Sequence, residues 1–332
     1  MIKLMKKYTS VFSVTGFEGE LADIITKDIA PYVDDISIDA LGSVVAFKKG
    51  ENSDKKLMIA AHMDEIGFIV TYIEDSGMLR VSNLGGINSI ACAYSKVRFA
   101  NGQIGVIAPE GNIKPEDIAV KKLIVDIGAK TKKEAERKVK IGDVCALVPS
   151  FTRLMNNRYT AKAFDDRLGC AVAVIAAQQI KSAKYDAYFV FSVQEEVGCR
   201  GSKPTAFAIA PTYSIAIDVT ATGDTIGATP MAVKLGEGAA IKIKDNSLIC
   251  SKIIVDGLTK LAKDKKITHQ YEILEYGGTD ASSMQTAGSG SYAGVISIPT
   301  RYIHSSVETV DLKDVNACVS LLAAAIEDGF EK

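Results

Sequence analysis

Tryptophan is absent from the chain, and histidine occurs only 3 times in 332 residues. A cleft built on broad indole platforms, the aromatic surface best suited to sugars, is therefore excluded, although Tyr and Phe could supply smaller ones. Long apolar runs are missing too: none reaches the ~18–20 residues that a membrane span needs. Nor is there an excess of either charge. The net charge of −1 leaves no electrostatic footprint for nucleic acid or for an anionic membrane surface. The opening MIKLMKKYTSVFSVTG carries basic residues without a sustained apolar core, so it does not read as a secretion signal. The 6 cysteines (Cys92, Cys145, Cys170, Cys199, Cys250, Cys318) are scattered without close pairs, as free thiols of a reducing compartment would be. Together these omissions point to a cytoplasmic protein. What is present, 47% hydrophobic and 24% charged residues, is the balance of a folded globular chain of one large domain or two.

Patterning divides the chain into three stretches. Up to residue 66, GELADIITKDIAPYV has apolar residues at helical spacing and stops near Pro31. DDISIDALGSVVAF reads as two short strands around Leu41-Gly42, and KKLMIAAHMDEIGF as a buried strand ending in polar residues. Residues 67–160 change texture, with short β-like runs separated by Gly, Asn and Asp turns and one charged segment, KTKKEAERKVKIGD; this predicts a small β-rich domain. From 161 to 332 the pattern alternates: DDRLGCAVAVIAAQQI helical, YDAYFVFSVQEE and YSIAIDVT strands, LICSKIIVDGLTKLAKDKK helical, YAGVISIP a strand, VNACVSLLAAAIEDGF a closing helix. Such alternation predicts an α/β domain with a doubly wound, mostly parallel sheet. The expected organisation is a discontinuous α/β domain, 1–66 and 161–332, interrupted by the β-rich insertion 67–160.

Chemistry gathers where apolar strand runs end. LMIAA leads to His62 and Asp64, FVFSV to Glu195 and Glu196, YSIAI to Asp218, and VISIP shortly to His304. Asp165-Asp166 precedes the helix beginning near Arg167. Taken singly, each is a polar loop, a solvated acidic pair or a helix N-cap. In an open α/β sheet, however, ligands collect beyond the carboxyl ends of the strands, and these ends would converge in one crevice. Carboxylates that close repel and raise one another's pKa, so the assembly calls for cations. Asp165, Glu196 and Asp218 contribute about −3, which two divalent ions and a bridging hydroxide would bring to zero. Imidazole and oxygen ligands without thiolate suit zinc, cobalt or manganese in a reactive site. His269, in KKITHQYEILE, has no such carboxylate neighbour and reads as structural.

The segments AHMDEIGF, KAFDDRLG, QEEVGCRGS, AIDVT, GGTDAS and IPTRYIHSSVE resemble, in order and spacing, the glutamyl-aminopeptidase or tetrahedral aminopeptidase family of dinuclear metallopeptidases, some of whose members have been labelled endoglucanases. The resemblance spans essentially the whole chain. It implies that His62 and Asp218 bind one metal, Glu196 and His304 the other, and Asp165 both. It makes Glu195 the general base and Asp64 the hydrogen-bond partner that orients His62. It also implies a cis peptide at Asp165-Asp166, a PDZ-like dimerisation domain for the β-rich section, and assembly to a dimer and a tetrahedral dodecamer. The implied substrates are peptides with a free N-terminus, cut at the first peptide bond through a metal-bridging hydroxide. Gly277, Gly278, Thr279 and Asp280, with Thr229, Pro230 and Arg301, would line the substrate side. The two glycines equally suit a tight turn ahead of a helix capped by Thr279 or Asp280.

Other readings of the same residues remain. Glu195 with Asp218 could be the acid and base of an endoglucanase, but a glycosidase needs no histidine-bearing metal cluster. A carboxypeptidase or N-acyl amino acid deacylase would keep the metals and need a cationic pocket for a carboxylate, for which Arg301 and Arg200 are candidates. A metal-stabilised scaffold would leave Glu195 without a role.

Overall fold

The computed structural model describes residues 1–330. In chain order its strands are Asp35–Ile38 (β1), Val44–Lys48 (β2), Asn52–His62 (β3), Gly67–Ile73 (β4), Leu79–Leu84 (β5), Ser95–Phe99 (β6), Ile104–Pro109 (β7), Leu123–Asp126 (β8) and Val144–Leu147 (β9). They continue with Thr152–Arg153 (β10), Arg158–Ala161 (β11), Tyr185–Ser192 (β12), Tyr213–Thr220 (β13), Ala239–Lys244 (β14), His269–Ile273 (β15), Tyr292–Arg301 (β16) and Glu308–Asp311 (β17). The helices are Ile2–Ser10 (α1), Gly19–Ile29 (α2), Ser89–Cys92 (α3), Lys132–Ala135 (α4), Phe164–Gln179 (α5), Ser202–Ile209 (α6), Lys252–Asp264 (α7), Asp280–Thr286 (α8) and Leu312–Asp328 (α9).

Four strands make the heart of the large sheet. β12, β3, β13 and β16 run parallel, in that spatial order. Their residues are apolar almost without break because helices cover both faces. The two-residue period of a strand sorts the side chains: Leu57, Ile59 and Ala61 join the cluster under α1, α2, α5, α7 and α9. Met58 and Ala60 join the one under α6 and α8. The flanks are antiparallel, with β2 and β1 beyond β12, and β17, β11 and β10 beyond β16. β14 also joins β16 antiparallel and carries β15 parallel at its side. The sheet is therefore mixed rather than mostly parallel. Flanking strands such as β1 and β2 are joined by a tight turn instead of a crossover helix. In that turn Asp39 Oδ1 accepts from the amides of Leu41, Gly42 and Ser43.

The β-rich insertion is a closed six-stranded barrel in the order β4-β5-β8-β7-β6-β9, closed by β9 against β4. It has a core of its own, with Phe68, Val70, Leu79, Val97, Phe99, Ile107 and Val125 buried together. Its strands end at Leu147, and residues 152–161 belong to the main sheet through β11 and β17. A small seam of Phe12, Val14, Val144 and Ala146 packs the N-terminal segment on the barrel. Among the described residues no helix is long and apolar enough to cross a membrane.

Candidate metal centre and active-site cleft

The carboxyl ends of the parallel strands meet on one edge of the sheet. His62 is the last residue of β3, Asp218 lies near the end of β13, and Glu195-Glu196 follow β12. His304 follows β16, and Asp165-Asp166 open α5 through a cis peptide bond. Asp165 is the centre of the group: its Oδ1 lies 3.0 Å from His62 Nε2 and its Oδ2 3.2 Å from His304 Nε2. Glu196 Oε2 is 3.2 Å from His304 Nε2, and Asp218 Oδ1 is 3.9 Å from His62 Nε2. Glu195 Oε2 reaches 3.9 Å from the same nitrogen. The His62, Asp165 and Glu196 ligand atoms lie within 4.8 Å of one another, as do those of His62, Asp166 and Asp218.

Burial and mutual repulsion dominate the electrostatics. Burial pushes the carboxyls of Asp166, Glu195 and Asp218 far above their ordinary range, and that of Glu196 upward, with neighbouring carboxylates pushing further. Burial would raise Asp165 as well, but the bonds from His304 and His62 hold it far below. Both imidazoles answer in kind. Burial pulls His304 down, yet Asp165 and Glu196 push it up to about 12, and His62 is raised by Asp165 and Asp64 against the same penalty. Such a cluster has too much negative charge for its volume and invites cations. Glu196 Oε1 gives an independent test. It is buried without a hydrogen-bond partner among the described residues, the kind of orphaned acceptor that needs an explanation. A divalent cation fits there, and two imidazoles with carboxylates are the donors zinc, cobalt or manganese accept.

Buried carboxylates behind the cluster hold its backbone. Asp64, fully buried, accepts from the amides of Glu195 (3.0 Å) and Glu196 (3.2 Å) and from Thr15 Oγ1 (2.8 Å). His62 Nδ1 lies 3.1 Å from the Asp64 carbonyl oxygen and 3.4 Å from its carboxylate. The orientation of His62 thus comes from main chain and side chain together. Asp166 accepts from the His62 amide and caps α5 through Gly169 N. Glu308 accepts from the amides of Asp165 and His304, and burial together with Asp165 pushes it up to about 8. The sequence reading missed Glu308 and this use of Asp64.

In front of the cluster opens a cleft of about 1240 Å³. Of the residues expected on its substrate side, Gly277, Gly278, Thr279 and Arg301 line it. Asp280 lies beneath the wall, where it accepts from the hydroxyls of Ser192 and Ser202. Thr229 and Pro230 are exposed in a loop outside the lining. Thr279 caps α8 through Ala281 N, so the glycine turn and the cap coexist with a place on the cleft wall. Arg301 is engaged by both oxygens of Asp224, at 3.1 and 2.7 Å. His269 sits on β15, its Nδ1 against the Ile267 carbonyl, far from this chemistry in role.

Cations held this way beside an acid with a free edge activate water, which is the work of metal-dependent hydrolases. Comparison with known proteins narrows that class. The profile of the M42 glutamyl aminopeptidases matches residues 42–321, and the chain belongs to that family. A lysyl aminopeptidase of Pyrococcus furiosus is 35% identical, over 98% of this chain and 96% of the relative. Among solved structures, an aminopeptidase of the archaeon Desulfurococcus kamchatkensis is 38% identical with a TM-score of 0.94, covering 98% of this chain and 94% of the other. The TET1 peptidase of Pyrococcus horikoshii, which can assemble into a tetrahedron or a large octahedral shell, is 31% identical with a TM-score of 0.87 over 98% and 99%. A Thermotoga maritima structure titled an endoglucanase is 33% identical with a TM-score of 0.83 over 98% and 97%. The chain is accordingly a metal-dependent aminopeptidase, and it shares the mixed α/β fold of these structures.

Proposed function

We propose that His62 and Asp218 hold one divalent cation, Glu196 and His304 a second, and that Asp165 serves both. The observation that carries this reading is the placing of one Asp165 oxygen against each imidazole, at 3.0 and 3.2 Å. Zinc, cobalt or manganese in that pair would supply Lewis acidity and bring the pKa of a water molecule toward neutrality. Glu195 takes the proton of the attacking water and returns it to the departing amine. Its Oε1 accepts from Cys199 Sγ at 3.0 Å, which leaves Oε2 facing the metal ligands. Asp64 keeps Glu195 and Glu196 in register through their amides.

The substrates are short peptides with a free N-terminus, cut at the first peptide bond. The carboxylates of Asp165, Glu195, Glu196 and Asp218 on the cleft lining suit an α-ammonium group. Arg301 is engaged by Asp224, which removes it as a free anchor for a substrate carboxylate and leaves Arg200, which also lines the cleft, as the cation a carboxypeptidase or deacylase would need. The chain acts in the cytoplasm. Its barrel, the core of the inserted 67–160 section, serves as a PDZ-like dimerisation module, and dimers build a tetrahedral dodecamer. The likeness to the shell-forming Pyrococcus horikoshii peptidase supports that assembly.

Metal analysis of purified variants tests the ligand assignment. Wild type should carry two ions per chain, while His304→Ala and Asp218→Ala should each carry about one and turn over poorly. Full metal content in either variant would remove that residue from the ligand set.

A further inference from the structure

Glu308 opens β17, and the sheet places that strand between β16 and β11. β16 leads into the loop of His304, and β11, opposite Glu308 at Ala161, leads into Asp165. A side chain at this position is therefore within reach of both segments although they are remote in sequence. Glu308 is buried to 2% exposure. Its Oε2 accepts from Asp165 N at 3.0 Å and its Oε1 from His304 N at 2.9 Å. Both oxygens are thus directed at main-chain donors.

His304 needs such a partner. Its φ of +62° lies in the left-handed region, which strains a side-chain-bearing residue and persists only where the surroundings over-determine it. Ser305 and Tyr302 close the same turn, the Ser305 hydroxyl donating to the Tyr302 carbonyl, but they tie the loop only to itself. Glu308 ties it to the aspartate.

We propose that Glu308 is a positioning residue for the second cation: it locks the backbones of Asp165 and His304 in the relation that lets both side chains reach one ion. The inference rests on the ligand assignment above. On the other side of the cluster Asp64 plays a matching part, holding the amides of Glu195 and Glu196. Of the two backbones that Glu308 holds, Asp165 serves both ions and His304 only the second, so the selective effect of losing Glu308 should fall on the second.

The test is calorimetric titration of chelated full-length protein with zinc, comparing wild type, Glu308→Gln and His304→Ala, with circular dichroism to show that each is folded. Glu308→Gln keeps the size but turns an NH₂ group toward an amide N–H. It should bind the first ion with wild-type affinity and the second about 10–100-fold more weakly, the usual penalty for removing such a support. Its peptidase activity should return as metal is raised. A purely structural role would weaken both ions together or neither. If His304→Ala loses one ion while Glu308→Gln keeps two at wild-type affinity, the positioning role is wrong and the ligand assignment stands. If His304→Ala itself keeps both, the assignment fails and the proposal with it. Should Glu308→Gln not fold, Glu308→Asp, one methylene too short to span both amides, must show the same selective loss; two tight sites there would overturn the proposal.

Discussion

Glu195 shows how one side chain is prepared for proton transfer. Its main-chain amide is fixed by Asp64, one carboxylate oxygen accepts from Cys199 Sγ, and the other lies 3.9 Å from the His62 imidazole. Replacing it by Gln keeps these dimensions and removes the base. Glu195→Gln should retain its metal content while kcat falls by about 10²–10⁴-fold, the usual share of a general base; steady-state kinetics beside metal analysis checks both. Near-normal turnover would remove Glu195 from the role. His62, Glu195, Glu196, Asp218 and His304 were legible because each interrupts an apolar strand run or follows one within a few residues, a local signal. Glu308 was not. Its amide partner Asp165 is 143 positions away, and nothing in the spacing of a carboxylate says which backbone it will meet. Thr229 was misplaced for the converse reason, since a loop's path past a cleft is not written in its own residues.

At the scale of elements, α5 organises the N-terminal segment. Arg167, fully buried, donates to the carbonyl oxygens of Tyr8, Val11, Ser13 and Met63 and pairs with Glu65 at 2.9 Å. Lys162 meets the same Glu65 at 2.6 Å. The chain following α1 is thereby anchored beside the histidine–carboxylate cluster by a cation inside the protein. Removing one partner of a buried ion pair costs about 3–5 kcal/mol. Arg167→Met should lower thermal stability by that order and open residues 1–15 to proteolysis, read by melting and by mass spectrometry of limited digests. An unchanged melt and digestion pattern would show that α1 docks by its apolar face alone. The sequence revealed the buried strands, α2, α5, α7 and α9 through unbroken apolar runs or helical spacing. The opening segment reads only as a failed secretion signal, because its basic residues obscure the buried face of Met5, Tyr8 and Thr9. The antiparallel flank beyond β16 was also hidden: short strands such as β10, β11 and β17 take their partners from the topology, not from their own composition.

At the scale of the molecule, an inserted barrel and an α/β domain share the work of enclosing the site. The barrel sends its β5 strand toward the cluster, where Gly85 and Gly86 run so close that a Cβ on Gly86 would stand 3.1 Å from His304 Cε1. A side chain at Gly86 would press on the His304 ring, so the close backbone approach is the kind that glycine permits. The resemblance of six separate motifs told of the family and the change of patterning over 67–160 of an insertion; the barrel's closure and the mixed sheet were hidden, since strand pairing is a long-range property. The central claim, that the chain removes N-terminal residues with the help of bound metal, is tested most directly on a peptide panel. Free and N-acetylated peptides of identical sequence would be incubated with chelated protein, before and after adding zinc, cobalt or manganese. The account predicts metal-restored release of the first residue from the free peptides and none from the acetylated ones. Equal cleavage of both, or release that persists in the chelated protein, would contradict it.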